Sequence, residues 1–219
     1  MDDAEEVPVT KERVDAGAGP DAGQARGQSG PGKRKRVILV TDGDRRAQEA
    51  VETAAGKLGL RCISNSAGNP TPLLGSEIVE MVHQTPTDPV LVMVDDRGAG
   101  YQGRGESALA FIARDPSIQV LGAVAVASDT WWAVGADVDA SVTRDGHLVD
   151  GVVDKGGDLD GGGQERLQGD TIDILNDLNV PIIVGVGDIG KMHGSDSPNK
   201  GAPITVKAIQ TILKRSGLD

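Results

Sequence analysis

The stretch VILVTDGDRR, residues 37–46, decides the fold. Its four apolar residues form a short continuous run that leads directly into Asp42 and Asp44. A run of this kind, without alternating polar residues, is typical of a strand that is buried on both faces. The pattern over residues 44–59 then places Ala47, Ala50, Val51, Ala54 and Leu58 on one helical face and ends in Gly59. A buried strand followed by a helix is the first half of a strand–helix–strand unit.

The same alternation of apolar runs and helical patterns continues along the chain and predicts an α/β fold. The predicted strands are 36–41, 61–64, 89–94, 119–128 and 180–187, and the predicted helices are 44–59, 75–84, 105–115, 170–179 and 203–217. Continuous apolar strands favour a doubly wound, mainly parallel sheet with helices on both faces. We expect the flavodoxin-like order 2-1-3-4-5, with the short second strand at an edge. The turn signal Asp145-Gly146 predicts a β-hairpin over residues 140–153, inserted after the fourth strand.

The first part of the chain differs in composition from the rest. Residues 1–35 are polar and lack apolar periodicity, so we predict a disordered N-terminal tail there and a single α/β domain over 36–219. Acidic and basic residues balance within 1–36, so the net charge of −11 belongs to the folded part. Such an acidic domain repels a phosphate backbone, which argues against nucleic acid as a partner. The basic run 33–36 contacts an anionic lipid surface or a partner, or it is a solvated lead-in.

Cysteine content and hydropathy limit the location of the protein. The lone Cys62 excludes an internal disulfide and suits a reducing compartment. No apolar segment approaches the roughly 20 residues that a membrane span needs, and the N-terminus has no secretory signal pattern. We therefore expect a soluble protein whose association with a membrane runs only through partners.

Acidic residues follow three of the predicted parallel strands. Asp42 and Asp44 follow the first strand, Asp95 and Asp96 the third, and Asp188 the fifth. The crevice beyond the carboxyl ends of neighbouring strands is the usual ligand site of such sheets. Clustered carboxylates recruit a hard cation, so these five aspartates are candidate ligands of Mg²⁺ or Ca²⁺, although no cofactor is established. The alternative is that they cap helices and satisfy backbone amides in turns.

The arrangement is also similar to that of response-regulator receiver domains. Those domains place acids after the first and third strands, a Ser or Thr after the fourth, and a Lys after the fifth. The matching positions here are Asp42, Asp44, Asp95 or Asp96, Ser128 and Lys191. This fold-level analogy leads to an alternative function, a cation-dependent phosphoryl-transfer or sensor domain. The glycine pattern GVGDIG at 185–190 lacks a helix that opens at once, which disfavours a nucleotide site.

Two further segments are candidate binding regions. In the polar turn 64–72, Ser66, Asn69 and Thr71 can donate hydrogen bonds to an anion, or the turn is a rigid connector. Trp131 and Trp132 are adjacent on a chain with few aromatics, and adjacent side chains of an extended segment point in opposite directions, so we expect that they are not both buried. We expect one of them to anchor a partner. Neither an activated nucleophile nor zinc-ligand spacing is evident, so we expect no catalytic residues.

Six segments, taken in chain order, carry a resemblance to a known family. They are RVILVTDGD, RCISNSAGNPTPL, DPVLVMVDDRG, VLGAVAVAS, GDTIDILNDLNVPIIVGVGDIGKM and APITVKAIQTIL. Together, over about residues 36–215, they resemble the soluble stage V sporulation protein AE. The resemblance implies a bacterial endospore former and a non-enzymatic accessory subunit of the machinery that moves dipicolinic acid with Ca²⁺ in sporulation and germination. It also implies a peripheral position at the spore inner membrane, with other stage V sporulation membrane proteins and germination proteins as partners.

Overall fold

The computed structural model describes residues 33–96, 103–129, 134–161, 165–169 and 171–218. Within these ranges, strands and helices alternate along the chain. The strands are β1 Lys35–Val40, β2 Arg61–Ile63, β3 Val90–Met93, β4 Ile118–Val126, β5 Ala140–Val142, β6 Leu148–Val149 and β7 Ile183–Val186. The helices are α1 Arg45–Leu58, α2 Gly75–Gln84, α3 Arg104–Arg114, α4 Ile174–Asp177 and α5 Pro203–Arg215. Residues 1–32 of the predicted tail and the Trp131-Trp132 pair lie outside the described residues, and Lys35, the last residue of the predicted tail, is the first residue of β1.

The strands form one mainly parallel sheet in the order β2-β3-β1-β4-β7-β5-β6, with helices on both faces. The apolar run of β1 is continuous because its alternate residues pack on opposite faces of the sheet, in two different core clusters. Ile38 and Val40 pack in one core cluster with α1 and α5, whereas Val37 and Leu39 pack in another with α2 and α3. Both faces of the strand are therefore buried, and the predicted doubly wound α/β class is confirmed.

The strand order differs from the predicted 2-1-3-4-5. As predicted, β1 and β3 are parallel neighbours, with Ile38 opposite Leu91. However, β2 pairs with β3 through Cys62 and Leu91, and β4 pairs with β1 rather than with β3. The observed order pairs the six-residue β1 with the nine-residue β4 in the middle of the sheet and leaves the three-residue β2 at the edge. Pairing the longest strands satisfies the largest number of buried backbone groups.

The predicted hairpin is present and extends the sheet. Its strands β5 and β6 are antiparallel, and Gly146 takes a positive φ of 85° in the turn between them. β5 also pairs in parallel with β7, with Val142 opposite Val186, so the hairpin extends the sheet edge. The helix predicted over 170–179 is shorter than expected. Thr171 and Asn179 take positive φ values and leave the single turn α4 between them.

Candidate functional site

Three of the predicted acids come together at the carboxyl edge of the sheet. β1 and β7 both pair in parallel with β4, so their carboxyl ends lie at the same edge. Asp42 and Asp44 follow β1, and Asp188 follows β7. One carboxylate oxygen of each lies within 4.8 Å of the others. These three residues are called the acidic cluster below.

Lys191 provides the positive charge beside the acidic cluster. Its Nζ lies 2.6 Å from Asp44 Oδ2 and 2.8 Å from Asp188 Oδ1. Desolvation acts to lower the pKa of this ammonium, but the two carboxylates outweigh it and hold the pKa above its usual range. Lys191 therefore remains protonated and neutralises part of the charge of the cluster.

Asp44 has two roles, because it caps α1 and also pairs with Lys191. Its Oδ1 accepts hydrogen bonds from the backbone N–H groups of Arg46 and Ala47, at 2.7 and 2.9 Å, and so caps the first turn of α1. Its Oδ2 accepts the bond from Lys191. Partial burial acts to raise the pKa of Asp44, whereas the bonds from Lys191 and the two amides lower it, and the net shift is downward. Asp44 is thus an ionised helix cap that also belongs to the acidic cluster.

Asp42 has fewer partners and a different proton affinity. Its Oδ1 accepts one hydrogen bond from the backbone N–H of Asp44, at 3.0 Å. Burial, together with the negative charges of Asp44 and Asp95, raises the pKa of Asp42 to about 7, despite the lowering effect of that amide and of Lys191. Near neutral pH this carboxyl therefore holds its proton much more strongly than an ordinary aspartate, and a bound cation would compete with that proton.

The aspartates after β3 are held by the backbone. Both oxygens of the buried Asp96 accept bonds from the first turn of α3, from Gly105 N–H at 2.6 Å and Glu106 N–H at 2.8 Å. Oδ2 of the buried Asp95 accepts a bond from Gly43 N–H at 3.2 Å and links the turn after β1 to β3. Neither residue is part of the acidic cluster, although the charge of Asp95 acts on Asp42. Asp96 thus binds the first-turn amides of α3 as a capping side chain does, although the N-cap residue itself is Gly103.

The polar turn after β2 is largely tied to the neighbouring strand. The Ser66 hydroxyl donates to the carbonyl of Ile63 at 2.8 Å and accepts from Met93 N–H at 3.1 Å. The Thr71 hydroxyl accepts from Asp95 N–H at 2.8 Å. Both side chains are buried, whereas Asn69 is exposed. These bonds are those of a connector that positions the strand ends.

Ser128, the predicted counterpart after β4, is half-buried. Its backbone N–H donates to the carbonyl of Gln168 at 3.0 Å. Of the positions matched to receiver domains, Lys191 lies beside acids that follow β1 and β7, whereas Asp95 and Asp96 lie outside the acidic cluster.

Asp196 is a structural carboxylate that sequence reasoning missed. It is fully buried and accepts from the N–H groups of Gly190 at 2.8 Å and Ile204 at 2.8 Å. It also binds Thr205, accepting from its N–H at 3.0 Å and its hydroxyl at 2.6 Å. These bonds join the loop that carries Lys191 to the first turn of α5. An acid shortly before a helix that begins with proline is the signal for this role, but the intervening loop separates the two in sequence.

A groove of about 720 Å³ lies between α2 and α3. Phe111, the only phenylalanine of the chain, is 47% exposed there, and Leu74 is 61% exposed. Large apolar side chains grouped on a surface are typical of contact sites. The predicted anchors Trp131 and Trp132 lie outside the described residues, so their role stays a prediction.

The fold and site define a doubly wound α/β domain with an acidic cluster beside a lysine. The family model for stage V sporulation protein AE1 matches residues 36–216. The chain belongs to this family, which confirms the resemblance and indicates a role related to sporulation. Comparisons with curated proteins and with solved structures give no match. In the part of the chain that the structure describes, no helix has both the length and the hydropathy needed to cross a membrane.

Proposed function

We propose that this chain is a non-enzymatic accessory subunit of the spore inner-membrane machinery that moves Ca²⁺ and dipicolinic acid in sporulation and germination. The observation that carries the proposal is the family match over residues 36–216. The proposed partners are other stage V sporulation membrane proteins and germination proteins. The proposed location is the spore inner membrane, at which the chain is peripheral.

The hydrogen bonding at the carboxyl edge supports a structural or binding role. Ser66, Thr71 and Asp96 use their polar atoms on backbone groups of the fold. Because these side chains already bind backbone groups, they position the strand ends and are not available to a reacting group. The exposed Phe111 beside α2 offers an apolar contact of the kind that a partner subunit buries.

Affinity capture of the tagged full chain from spore inner-membrane extracts tests the proposal. We expect stage V sporulation membrane proteins to co-purify with the wild type and to be reduced with a Phe111→Asp variant. Leu159→Asp is the matched control, because Leu159 is similarly exposed but lies outside the groove between α2 and α3. Recovery of the wild-type chain alone from these extracts would contradict the proposal.

A second candidate function, a cation-binding sensor, rests on the acidic cluster. Asp42, Asp44 and Asp188 offer three closely spaced oxygens, and Mg²⁺ and Ca²⁺ prefer oxygen ligands. Lys191 uses oxygens of the same cluster, so a divalent cation has to compete with an ammonium already in position. Phosphoryl transfer to Asp95 or Asp96 is less well supported, because both are buried and bound to backbone amides.

Isothermal calorimetry with Mg²⁺ and with Ca²⁺ tests the sensor. We expect Lys191→Met to bind either ion several times more tightly than the wild type, because the competing charge is removed. Asp188→Asn in the Lys191→Met background should lose this gain, whereas Asp129→Asn, an exposed aspartate outside the cluster, should keep it. The absence of binding heat at millimolar ion in both the wild type and Lys191→Met would exclude the sensor.

A further inference from the structure

A groove along the last turns of α5 has a charge opposite to that of the domain as a whole. Its volume is about 840 Å³. The basic residues that line it are Lys207, Lys214 and Arg215, and the leucines include Leu58, Leu148 and Leu218. None of the described residues that line it is acidic. We call it the α5 groove, and it is a local positive site on a domain with a net charge of −11.

The positive charge of the α5 groove is not neutralised within the described part of the chain. No ion pair found there involves Lys207 or Lys214, and both side chains are exposed. Arg215 donates one N–H to the carbonyl of Asp139 at 3.3 Å, which is a bond to a neutral group. The segment 197–219 contains four basic residues and one acidic residue, Asp219, which lies outside the described residues. The groove therefore complements a negatively charged surface.

Leucines border these basic side chains. Leu148 on β6 is 44% exposed, and Leu58 and Leu218 are partly buried. Basic groups next to exposed aliphatic groups form a surface that suits the boundary of an anionic bilayer, where cations meet headgroup phosphates and leucines meet the acyl chains. The mixed composition matches both the headgroup layer and the acyl layer of a bilayer, which favours lipid.

One end of the α5 groove lies at the amino edge of the sheet. Arg215 at the end of α5 contacts Asp139, which directly precedes β5, so this end of the helix lies at the amino edge of the sheet. The exposed Lys33 and Arg34, just before β1, lie at the same edge. The acidic cluster lies at the carboxyl edge, on the opposite side.

We propose that the α5 groove binds an anionic lipid surface, with Lys207, Lys214 and Arg215 contacting headgroup phosphates. This inference rests on the proposed peripheral location for the identity of the membrane. It adds a direct lipid contact to the protein partners, which the sequence led us to expect as the sole means of association.

Vesicle flotation of the full chain tests the lipid contact. The vesicles contain phosphatidylcholine alone or an equimolar mixture with phosphatidylglycerol. We expect the wild type to float with the anionic vesicles only, and Lys207→Glu/Lys214→Glu to lower its partition coefficient about tenfold or more. The matched control is Arg45→Glu/Arg46→Glu, an equal change in charge on exposed residues at the start of α1. The control should bind within about twofold of the wild type.

Three outcomes would overturn the lipid assignment. The first is a wild type that does not float with anionic vesicles, and the second is an equal loss in both double variants, which indicates unspecific electrostatics. The third is binding that does not weaken with salt, since the Debye length falls from about 10 Å at 0.1 M to about 3 Å at 1 M. If flotation fails but capture of stage V membrane proteins still requires Lys207 and Lys214, the α5 groove is a protein contact. Capture that persists with Lys207→Glu/Lys214→Glu leaves the proposed function standing, whatever the vesicle result.

Discussion

Two pairs of aspartates follow two neighbouring buried strands, and they have different roles. After β3, Asp96 gives both of its oxygens to the amides of α3, and Asp95 binds Gly43. After β1, Asp44 shares its oxygens between the start of α1 and Lys191, and Asp42 accepts a single amide bond. A carboxylate at a strand end is thus available to a ligand only if backbone amides leave one of its oxygens unused.

Asp196 extends the comparison. Like Asp96, it is buried and bound by the first turn of a helix that begins several residues further on. The carboxylates at this edge therefore fall into two groups. Asp96 and Asp196 are bound by backbone amides, whereas the acidic cluster lies beside Lys191. The four predictions below separate these groups, from the largest expected effect to the smallest.

Asp196→Ala should cause the largest loss of stability. The substitution leaves the amides of Gly190, Ile204 and Thr205 without a partner in a fully buried site. We expect the free energy of unfolding to fall by about 3 kcal/mol or more in urea denaturation. The exposed Asp129→Ala should change it by less than about 0.5 kcal/mol. A loss below about 1 kcal/mol for Asp196→Ala would show that water replaces the carboxylate at little cost.

Asp96→Ala should have a smaller effect, because two amides rather than three lose their acceptor. We expect a loss of about 2 kcal/mol, with local fraying of α3 in hydrogen exchange at Gly105 and Glu106. Asp42→Asn is the matched change in the acidic cluster and should cost nothing at neutral pH. If Asp96→Ala and Asp42→Asn have equal effects, the proposed distinction between the two groups is wrong.

The pH dependence of stability should isolate Asp42. Its folded-state pKa of about 7 lies above the ordinary value of 3.8, so the unfolded chain releases this proton at a lower pH than the folded chain. The stabilising contribution is complete below about pH 4 and is lost as the pH rises through about 7. We expect Asp42→Asn to gain on the order of 2 kcal/mol relative to the wild type between pH 4 and pH 8.

Urea denaturation of both proteins at several pH values measures this gain. Asp129→Asn is the control, because this aspartate is exposed and lies outside the acidic cluster. A difference between Asp42→Asn and the wild type that does not change with pH would exclude a raised pKa at Asp42.

Asp44→Ser should have the smallest effect and separates the two roles of Asp44. A serine hydroxyl still caps α1 but cannot form the ion pair with Lys191, which is partly exposed. We expect a loss of less than about 1 kcal/mol for Asp44→Ser, and about 1 kcal/mol more for Asp44→Ala. Equal losses for Ser and Ala would show that the cap contributes little and that the ion pair accounts for the effect.

Much of the local structure was predictable from the sequence. The bounds of α2 match the prediction over 75–84, and α1 lies between the predicted cap Asp44 and the predicted terminal Gly59. These features depend on periodicity and on end residues, which are local. The short α4 was mispredicted, because residues at its ends adopt positive φ values that side-chain patterns do not reveal.

The strand order was less predictable. Both the expected and the observed orders place β1 beside β3 and β2 at an edge. They differ in whether β1 or β3 pairs with β4, which depends on the register and length of the paired strands. Nothing in the local pattern of either strand distinguishes these arrangements, since both are short, continuous apolar runs.

The sequence alone determined the class of fold and which aspartates follow the strands at the carboxyl edge. Apolar periodicity specifies the strands, and the position of each strand specifies the residues that follow it. Only the tertiary structure decided which carboxylates have an oxygen that backbone amides do not bind, and that basic residues group at the α5 groove. The contact between Lys191 and Asp44 joins residues 147 positions apart, and the α5 groove combines residues of α1, β6 and α5. Such contacts follow from how the elements pack, and the hydrogen bonds formed in packing determine which polar groups stay available.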